Sequence, residues 1–384
     1  MKRNEKHFCK TSILLGVALL AVVGAYGVAA EDAQEGTYNI VSFEKITLAD
    51  KFLAEGAGVG DFNHDGIKDV AIGSQWYEGP EFKVTHPYRQ AKSNDFDPAD
   101  YSDTFNVYGI DINNDGWDDI LHIGLPGTPA HWYENPKTGD KGANANIFWE
   151  AHEVHPWIGN ESPTLIDVVG DEKPELLFNI GGFLGYADMR PKAVKLPWVF
   201  HKISNAKGCF VVYTHGVGAG DINHDGRKDI VEALGWWEQP ESLKGNPVWK
   251  FHKFKFAEGG AQMLVTDVNG DGLNDVVTVW HPHKYGLLWW EQTRNDAGEI
   301  DFIRHDVMGE KEEDSQYGVK FTQAHALTLA DIDGDGLQDL VVGKRWWAHK
   351  PPIDPECDAP SVLYWWKLQR NPDGTADNSM ILES

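Results

Sequence analysis

Cysteine is almost missing from this sequence: three in 384 residues, of which Cys9 precedes an apolar N-terminal run and only Cys209 and Cys357 lie in the body of the chain. Two cysteines 148 positions apart give no disulfide framework. An exported chain permits a bridge between them but does not depend on one, so the fold is held by other means. Basic charge is also short. Lys and Arg total 34 against 59 Asp and Glu, a formal charge of −25. That balance argues against a nucleic-acid partner, whose binding proteins present basic stripes to phosphates, and against anionic membrane surfaces. No run beyond the N-terminal one approaches the roughly 20 apolar residues that cross a bilayer. The signatures of common catalysts are missing too: no G-x-S-x-G elbow, no G-x-x-x-x-G-K-[ST] loop and no H-E-x-x-H helix.

The N-terminus has the pattern of an export signal. Lys2, Arg3, Lys6 and Lys10 stand ahead of an apolar run from Ile13 to Ala30 that ends in small residues, which predicts cleavage after Ala30 and a secreted or periplasmic protein. An uncleaved anchor is the alternative. Loss of residues 1–30 takes the formal charge from −25 to −28, so residues 31–384 are strongly acidic.

Much of that acidity sits in a short loop that recurs six times: GDFNHDGIKD from Gly60, IDINNDGWDD from Ile110, IDVVGDEKPE from Ile166, GDINHDGRKD from Gly220, TDVNGDGLND from Thr266 and ADIDGDGLQD from Ala330. Successive first aspartates are 50, 56, 54, 46 and 64 residues apart. Small or apolar residues enter each loop and a β-branched run leaves it, so the loop joins two strands. A third element carries an aromatic pair: Trp76-Tyr77, Trp132-Tyr133, Trp236-Trp237, Trp289-Trp290, Trp346-Trp347 and later Trp365-Trp366. A fourth strand ends on a histidine: His86, His152, His201, His252 or His305. Four strands per unit of about 50 residues predict an all-β fold, a β-propeller of four-stranded blades. Six motif-bearing blades make a six-bladed ring, or an incomplete seven-bladed one, because the chain stops at Ser379-Met380-Ile381-Leu382-Glu383-Ser384 where another unit would begin. The strand-like FEKITL from Phe43 precedes the first loop and is expected to close the ring by completing the last blade.

The spacing D-x-[DN]-x-D-G-x-x-D sets oxygen side chains at alternate positions and a fourth after a glycine turn, which wraps one hard cation. Calcium fits better than magnesium, because it takes six to eight oxygens in flexible geometry. The predicted ligands are Asp61, Asn63, Asp65, Ile67 through its carbonyl, and Asp69; Asp111, Asn113, Asp115, Trp117 and Asp119; Asp221, Asn223, Asp225, Arg227 and Asp229; Asp267, Asn269, Asp271, Leu273 and Asp275; Asp331, Asp333, Asp335, Leu337 and Asp339. The third loop has Val169, Glu172 and Pro174 at critical positions, so no ion is expected there. An EF-hand is the competing reading, but it needs flanking helices and glutamate at the twelfth position, where Ile72, His122, Thr278 and Val342 stand in four intact loops; only Glu232 fits, and its neighbours are strand-like.

These loops resemble the FG-GAP and VCBS repeats of integrin-like propellers over nearly all of residues 31–384. The runs GVGAGDINHDGRKDIVEALGWWEQP from Gly216, LLWWEQ from Leu287 and WKLQRNPDG from Trp366 are similar to the β-propeller domain of fungal aldos-2-ulose dehydratases and related exported bacterial proteins. The resemblance implies a calcium-bearing propeller that acts on a keto-sugar by elimination. That family joins its propeller to cupin domains, and residues 31–384 are expected to hold the propeller alone.

Residues that recur in every blade are expected to be structural, so the irregular ones are more telling. Six positions before each loop aspartate, on the strand expected to line the channel, stand Glu55, Phe105, Glu161, His215, Ala261 and His325. Two histidines and two carboxylates among them predict a metal-binding or acid-base cluster at one channel mouth. His281 and His283 lie in an expanded loop outside the repeat and join the candidate list. The candidate catalytic residues are therefore His215, His325, Glu161, His281 and His283, with an additional divalent metal at the mouth. The expected function is an exported calcium-binding propeller that binds carbohydrate and acts as a keto-sugar lyase or dehydratase. The alternative is a non-enzymatic module that holds another protein.

Overall fold

The computed structural model describes residues 41–137, 147–207, 210–344, 346–347, 349, 353–371 and 380–383. The export segment and Cys209, and with it any bridge to Cys357, lie outside the described residues. Cys357 itself is buried. One compact unit spans Ser42–Ser384.

Six antiparallel four-stranded sheets form the blades of a six-bladed propeller. Blade one holds β1 (Ala57–Gly60), β2 (Asp69–Ile72), β3 (Gln75–Tyr77) and β4 (Thr85–Pro87); blade two holds β5 (Asn106–Ile110), β6 (Asp119–Ile123), β7 (Thr128–Glu134) and β8 (Glu150–Ile158). Blade three holds β9 (Thr164–Ile166), β10 (Glu175–Ile180), β11 (Phe183–Asp188) and β12 (Val199–Lys202); blade four holds β13 (Val217–Gly220), β14 (Asp229–Glu232), β15 (Gly235–Glu238) and β16 (Lys250–Lys253). Blade five holds β17 (Leu264–Thr266), β18 (Asp275–Val279), β19 (Leu287–Arg294) and β20 (Ile300–Met308); blade six holds β21 (Ala326–Ala330), β22 (Asp339–Lys344), β23 (Val362–Leu368) and β24 (Met380–Glu383).

The first strand of each blade is innermost, and neighbouring first strands approach too closely for side chains. A Cβ on Gly109 would sit 2.4 Å from the Val59 carbonyl oxygen, and one on Gly218 only 1.7 Å from that of Met263. Small residues enter each loop for this reason. Radial packing follows from five apolar clusters, each built from two successive blades. Trp132, Trp289 and Trp366 are each 1% exposed within them. Side chains of this size stabilise by about 3 kcal/mol or more when fully buried, which explains how a chain with so little cysteine holds together.

The run Trp-Trp-Glu-Gln of blades four and five has a structural meaning at its first, third and fourth positions, shared in part by the other blades. The first aromatic stacks on the fourth-strand histidine: Trp76 on His86 at 4.4 Å, Trp132 on His152 at 4.4 Å, Tyr186 on His201 at 5.1 Å, Trp236 on His252 at 3.9 Å and Trp289 on His305 at 4.3 Å. Two positions on, an acid bonds the same imidazole: Glu78, Glu134, Asp188, Glu238 and Glu291 lie 2.6 to 2.9 Å from it. Next comes a buried amide clamp to the preceding blade. Asn135 donates to the Phe62 carbonyl at 2.9 Å, Gln239 to that of Val168 at 2.8 Å and Gln292 to that of Ile222 at 3.0 Å.

Three expectations about the ends of the repeat are corrected. The fourth strand of the last blade is β24, paired with β23 through Trp365↔Glu383 and Trp366↔Leu382, so the C-terminal residues finish blade six and begin no seventh. The Phe43 segment is in no strand, and Phe43 and Ile46 are 65% and 49% exposed; a four-residue strand suffices once the register is fixed by β23. Finally, Trp346 and Trp347 belong to the long β22–β23 connection, whereas the aromatic pair of the third strand is Trp365-Trp366.

Candidate functional site

The ninth-position aspartates of the five regular loops are each fully buried or nearly so, and they tie the loop to the third strand. Asp119 accepts the amides of Ile112 and Asn135 at 3.0 and 2.8 Å, and Asp229 those of Ile222 and Gln239 at 3.0 and 2.9 Å. Asp69, Asp275 and Asp339 do the same. Burial pushes the carboxyls of Asp119, Asp229 and Asp275 up to about 7. In the irregular third loop Glu175 takes this place, accepting from Val168 at 2.7 Å. First-position aspartates fold the loop by accepting backbone amides, as Asp61 does from Asp65 and Gly66 at 3.0 and 2.9 Å. Donors in these loops are all oxygen, the set a hard cation takes.

The sixth loop differs from its relatives. Where five blades place an acid after the aromatic pair, blade six has Lys367, whose ammonium contacts Asp333 and lies 2.8 Å from Asp335. Lys137 makes a related contact with Asp115 at 2.7 Å in the second loop, but from an exposed side chain and to one carboxylate.

At the opposite end of the innermost strands, the repeat-breaking residues meet. Glu161 stands just ahead of β9, His215 ahead of β13 and His325 ahead of β21, so three blades deliver one residue each to the channel mouth. His215 Nε2 is 2.7 Å from Glu161 Oε2, and His325 Nε2 is 3.3 Å from His215 Nε2 and 3.8 Å from Glu161 Oε2. His283, from the β18–β19 loop, adds its ring at 5.2 Å from that of His215 and 5.1 Å from that of His325. The three histidines each place a ligating nitrogen within 4.8 Å of the others. Burial lowers the His283 imidazole and takes that of His325 down to about 3. Burial acts to raise the Glu161 carboxyl, but the hydrogen bond and charge of His215 outweigh it and the net shift is downward. Three imidazoles and a carboxylate therefore gather within hydrogen-bonding reach of one another, a nitrogen and oxygen donor set of the kind that transition-metal ions take.

Two predicted residues stand apart from this set. His281 is on the rim, where its Nδ1 accepts the His283 backbone amide at 3.2 Å. Glu55 is directed to Ser102, whose amide donates to it at 3.0 Å and whose hydroxyl donates to it as well. The partner comes from the β4–β5 connection, which the repeat pattern does not specify.

Sequence reasoning missed a second group beside the first. In the β22–β23 connection Asp354 Oδ2 lies 3.1 Å from His349 Nδ1 and 3.4 Å from His283 Nδ1, and it accepts Gln323 Nε2 at 2.9 Å. Tyr101 Oη is 3.0 Å from His349 Nε2. The connection carrying Tyr101 is anchored by a two-pronged pair in which Arg89 donates to Asp103 at 2.8 and 3.0 Å. The one available signal was length, since the fifth and sixth loop aspartates are 64 residues apart and the β22–β23 connection is longer than its counterparts in the other blades. A cavity of about 920 Å³ lies beside His281 and is lined also by Trp280, Lys284, Tyr285, Arg304 and Asp306; none of Glu161, His215, His283 and His325 is in its wall.

No family model matches this chain, and no curated protein matches it. Solved structures do. A lectin from Agrocybe aegerita, described as recognising non-reducing terminal N-acetylglucosamine, is 15% identical with a TM-score of 0.45, covering 80% of this chain and 84% of its own. The rhamnogalacturonan lyase YesW is 14% identical with a TM-score of 0.39, covering 86% and 71%. The V. cholerae biofilm matrix protein Bap1 is 16% identical with a TM-score of 0.30, covering 70% of this chain and 37% of its own. At such values function does not transfer, and the site is interpreted from its own geometry.

Proposed function

We propose that this chain is an exported, calcium-clipped propeller that binds a sugar at its channel mouth and dehydrates a keto-sugar there with a divalent transition metal. The observation that supports it is the convergence of His215, His283 and His325 beside Glu161. Three imidazoles are the ligand set of a zinc-type catalytic centre, which keeps a further position for water or substrate. A metal so held would polarise the sugar carbonyl. Glu161, ionised and adjacent, would take the proton from the carbon next to that carbonyl; the electron pair would form the new double bond, and the protonated Glu161 would return that proton to the hydroxyl on the following carbon, which leaves as water. The neighbouring cavity of about 920 Å³ has room for a saccharide, with Trp280 and Tyr285 in its wall. The sugar class comes from the resemblance to dehydratase propellers, and the calcium from the all-oxygen loops.

The test is a screen of keto-sugars and uronic-acid oligosaccharides with zinc-loaded, chelator-treated, His215→Ala and His325→Ala protein. Turnover confined to the loaded, unsubstituted protein supports the proposal. Turnover of none of them by the zinc-loaded protein would sink it.

One feature favours a second function, as an interaction module. Trp157, Val211 and Tyr213 are 43%, 57% and 48% exposed, around a cavity of about 510 Å³ lined by Trp157, Ile180, Phe210, Val211 and Val212. An exposed apolar patch of that kind marks contact sites. Loss of pull-down partners in Trp157→Ser with catalysis absent throughout would favour the module.

A further inference from the structure

We propose that His283, His349 and Asp354 form a second divalent-cation site beside the three-histidine centre, sharing His283 with it. The two imidazoles and the carboxylate each place a ligating atom within 4.8 Å of the others. Asp354 is 2% exposed, and its side chain is wholly buried. Burying a carboxylate this deeply is costly unless its charge is met.

A second observation is that Asp354 and two residues touching it, Gln323 and His283, each carry an unsatisfied buried atom. Asp354 Oδ1, Gln323 Oε1 and His283 Nδ1 are all buried without a hydrogen-bond partner. Native structures rarely leave such groups unpaired, so each one asks for an explanation. The amide nitrogen of Gln323 donates to Asp354 Oδ2, which fixes the amide so that Oε1 is the end left over. Two of the three atoms are oxygens that can only accept, and the third is an imidazole nitrogen able to do so. A divalent cation held by His283, His349 and Asp354 would meet the buried charge of Asp354 and the nitrogen of His283 together.

The backbone is held to suit. Gln323 adopts a left-handed φ of 61°, a conformation that costs a non-glycine residue energy and that clusters at functional sites. Its carbonyl accepts the His325 amide at 2.8 Å, so the strained residue sets His325 on one side and Asp354 on the other. Tyr101 Oη, 3.0 Å from His349 Nε2, holds that ring from its far edge. Two imidazoles and a carboxylate suit zinc, manganese, cobalt or iron(II) and not calcium or magnesium. Binding requires His349 Nδ1 to shed any proton it shares with Asp354, so loading releases protons.

The proposal depends on the function proposed above only through the shared His283. It is tested on the full chain, stripped of metal, with the aspartate loops saturated by millimolar calcium and cobalt(II) added while bound metal and visible absorption are followed. Two equivalents in the unsubstituted protein are expected, falling to one in Asp354→Asn and in His349→Ala, and to a different one in His215→Ala. One equivalent in the unsubstituted protein, lost in His215→Ala and merely bound about tenfold more weakly by Asp354→Asn, would mean that Asp354 only orients His283, and the second site is overturned. One equivalent lost in Asp354→Asn but kept in His215→Ala removes the three-histidine centre and leaves this site standing. No cobalt bound overturns both. The unsubstituted stoichiometry decides the matter even where a variant fails to fold.

Discussion

His215 Nε2 lies 2.7 Å from Glu161 Oε2, although the two residues belong to different blades. Each occupies the same repeat position, ahead of the innermost strand, where the blades without a polar role have Phe105 and Ala261. A propeller converts equal positions in sequence into neighbours around a ring. This is why breaks in the repeat accumulate into one site.

The stacked histidines are structural, so their removal is a matter of stability. Trp132→Ala should cost about 3 to 5 kcal/mol, because a fully buried indole leaves a cavity between blades two and three. His252→Ala should cost less, about 1 to 2 kcal/mol, for the stacking on Trp236 at 3.9 Å and the bond to Glu238. Urea unfolding of both variants checks the order; a cheaper tryptophan than histidine would contradict it.

Ring closure predicts an asymmetry between the two ends. Deleting residues 379–384 removes β24 and bares the β23 edge, so the transition temperature should fall and aggregation rise. Replacing exposed Phe43 and Ile46 by serine should change stability by less than about 0.5 kcal/mol. Thermal melts of the two variants side by side are the measurement. Equal losses would restore the Phe43 segment to the last blade.

The Arg89–Asp103 pair gives a pH dependence with a definite sign. Burial acts to raise the Asp103 carboxyl, but the hydrogen bonds and charge of Arg89 outweigh it and hold the group below its ordinary value. The unfolded value is about 3.9, so the pair's contribution is complete above about pH 4 and is lost as pH falls through the folded value. Asp103→Asn leaves a guanidinium with 9% exposure short of its partner, at a cost of about 3 kcal/mol near neutrality. Melts from pH 6 to pH 2 should show the gap between the two proteins closing below pH 4. A gap that widens on acidification would contradict the assignment.

Calcium removal should lower the transition temperature, and calcium should restore it better than magnesium. Each site that binds calcium would contribute about 2.7 kcal/mol at a hundredfold excess over its dissociation constant. The loops will not respond alike. Lys367 occupies the carboxylates of Asp333 and Asp335, so Lys367→Met should raise calcium affinity in the sixth loop alone, read by calorimetric titration. Unchanged titration curves would contradict that role.

The frame was legible because its signals are local. Aspartates at alternate positions, a β-branched exit and Trp-Trp-Glu-Gln lie within one unit and repeat, so strand count and blade type follow from spacing. Closure was not, since FEKITL and Met380–Glu383 are equally strand-like and only pairing with β23 chooses between them. Glu161, His215, His283 and His325 were visible as departures from the pattern. Asp354, His349, Gln323 and Tyr101 were not, because they sit in connections with no period to break, and their meeting depends on the ring being closed. Glu55 was assigned to the mouth by position, and Ser102 draws it elsewhere.

The most direct test of the channel-mouth centre is anomalous diffraction at the zinc edge from crystals of this chain soaked in zinc with calcium present. A peak about 2.0 to 2.1 Å from a nitrogen of each of His215, His283 and His325 is the predicted result. Zinc found only in the aspartate loops or on the outer histidines, with nothing at the mouth, would contradict it.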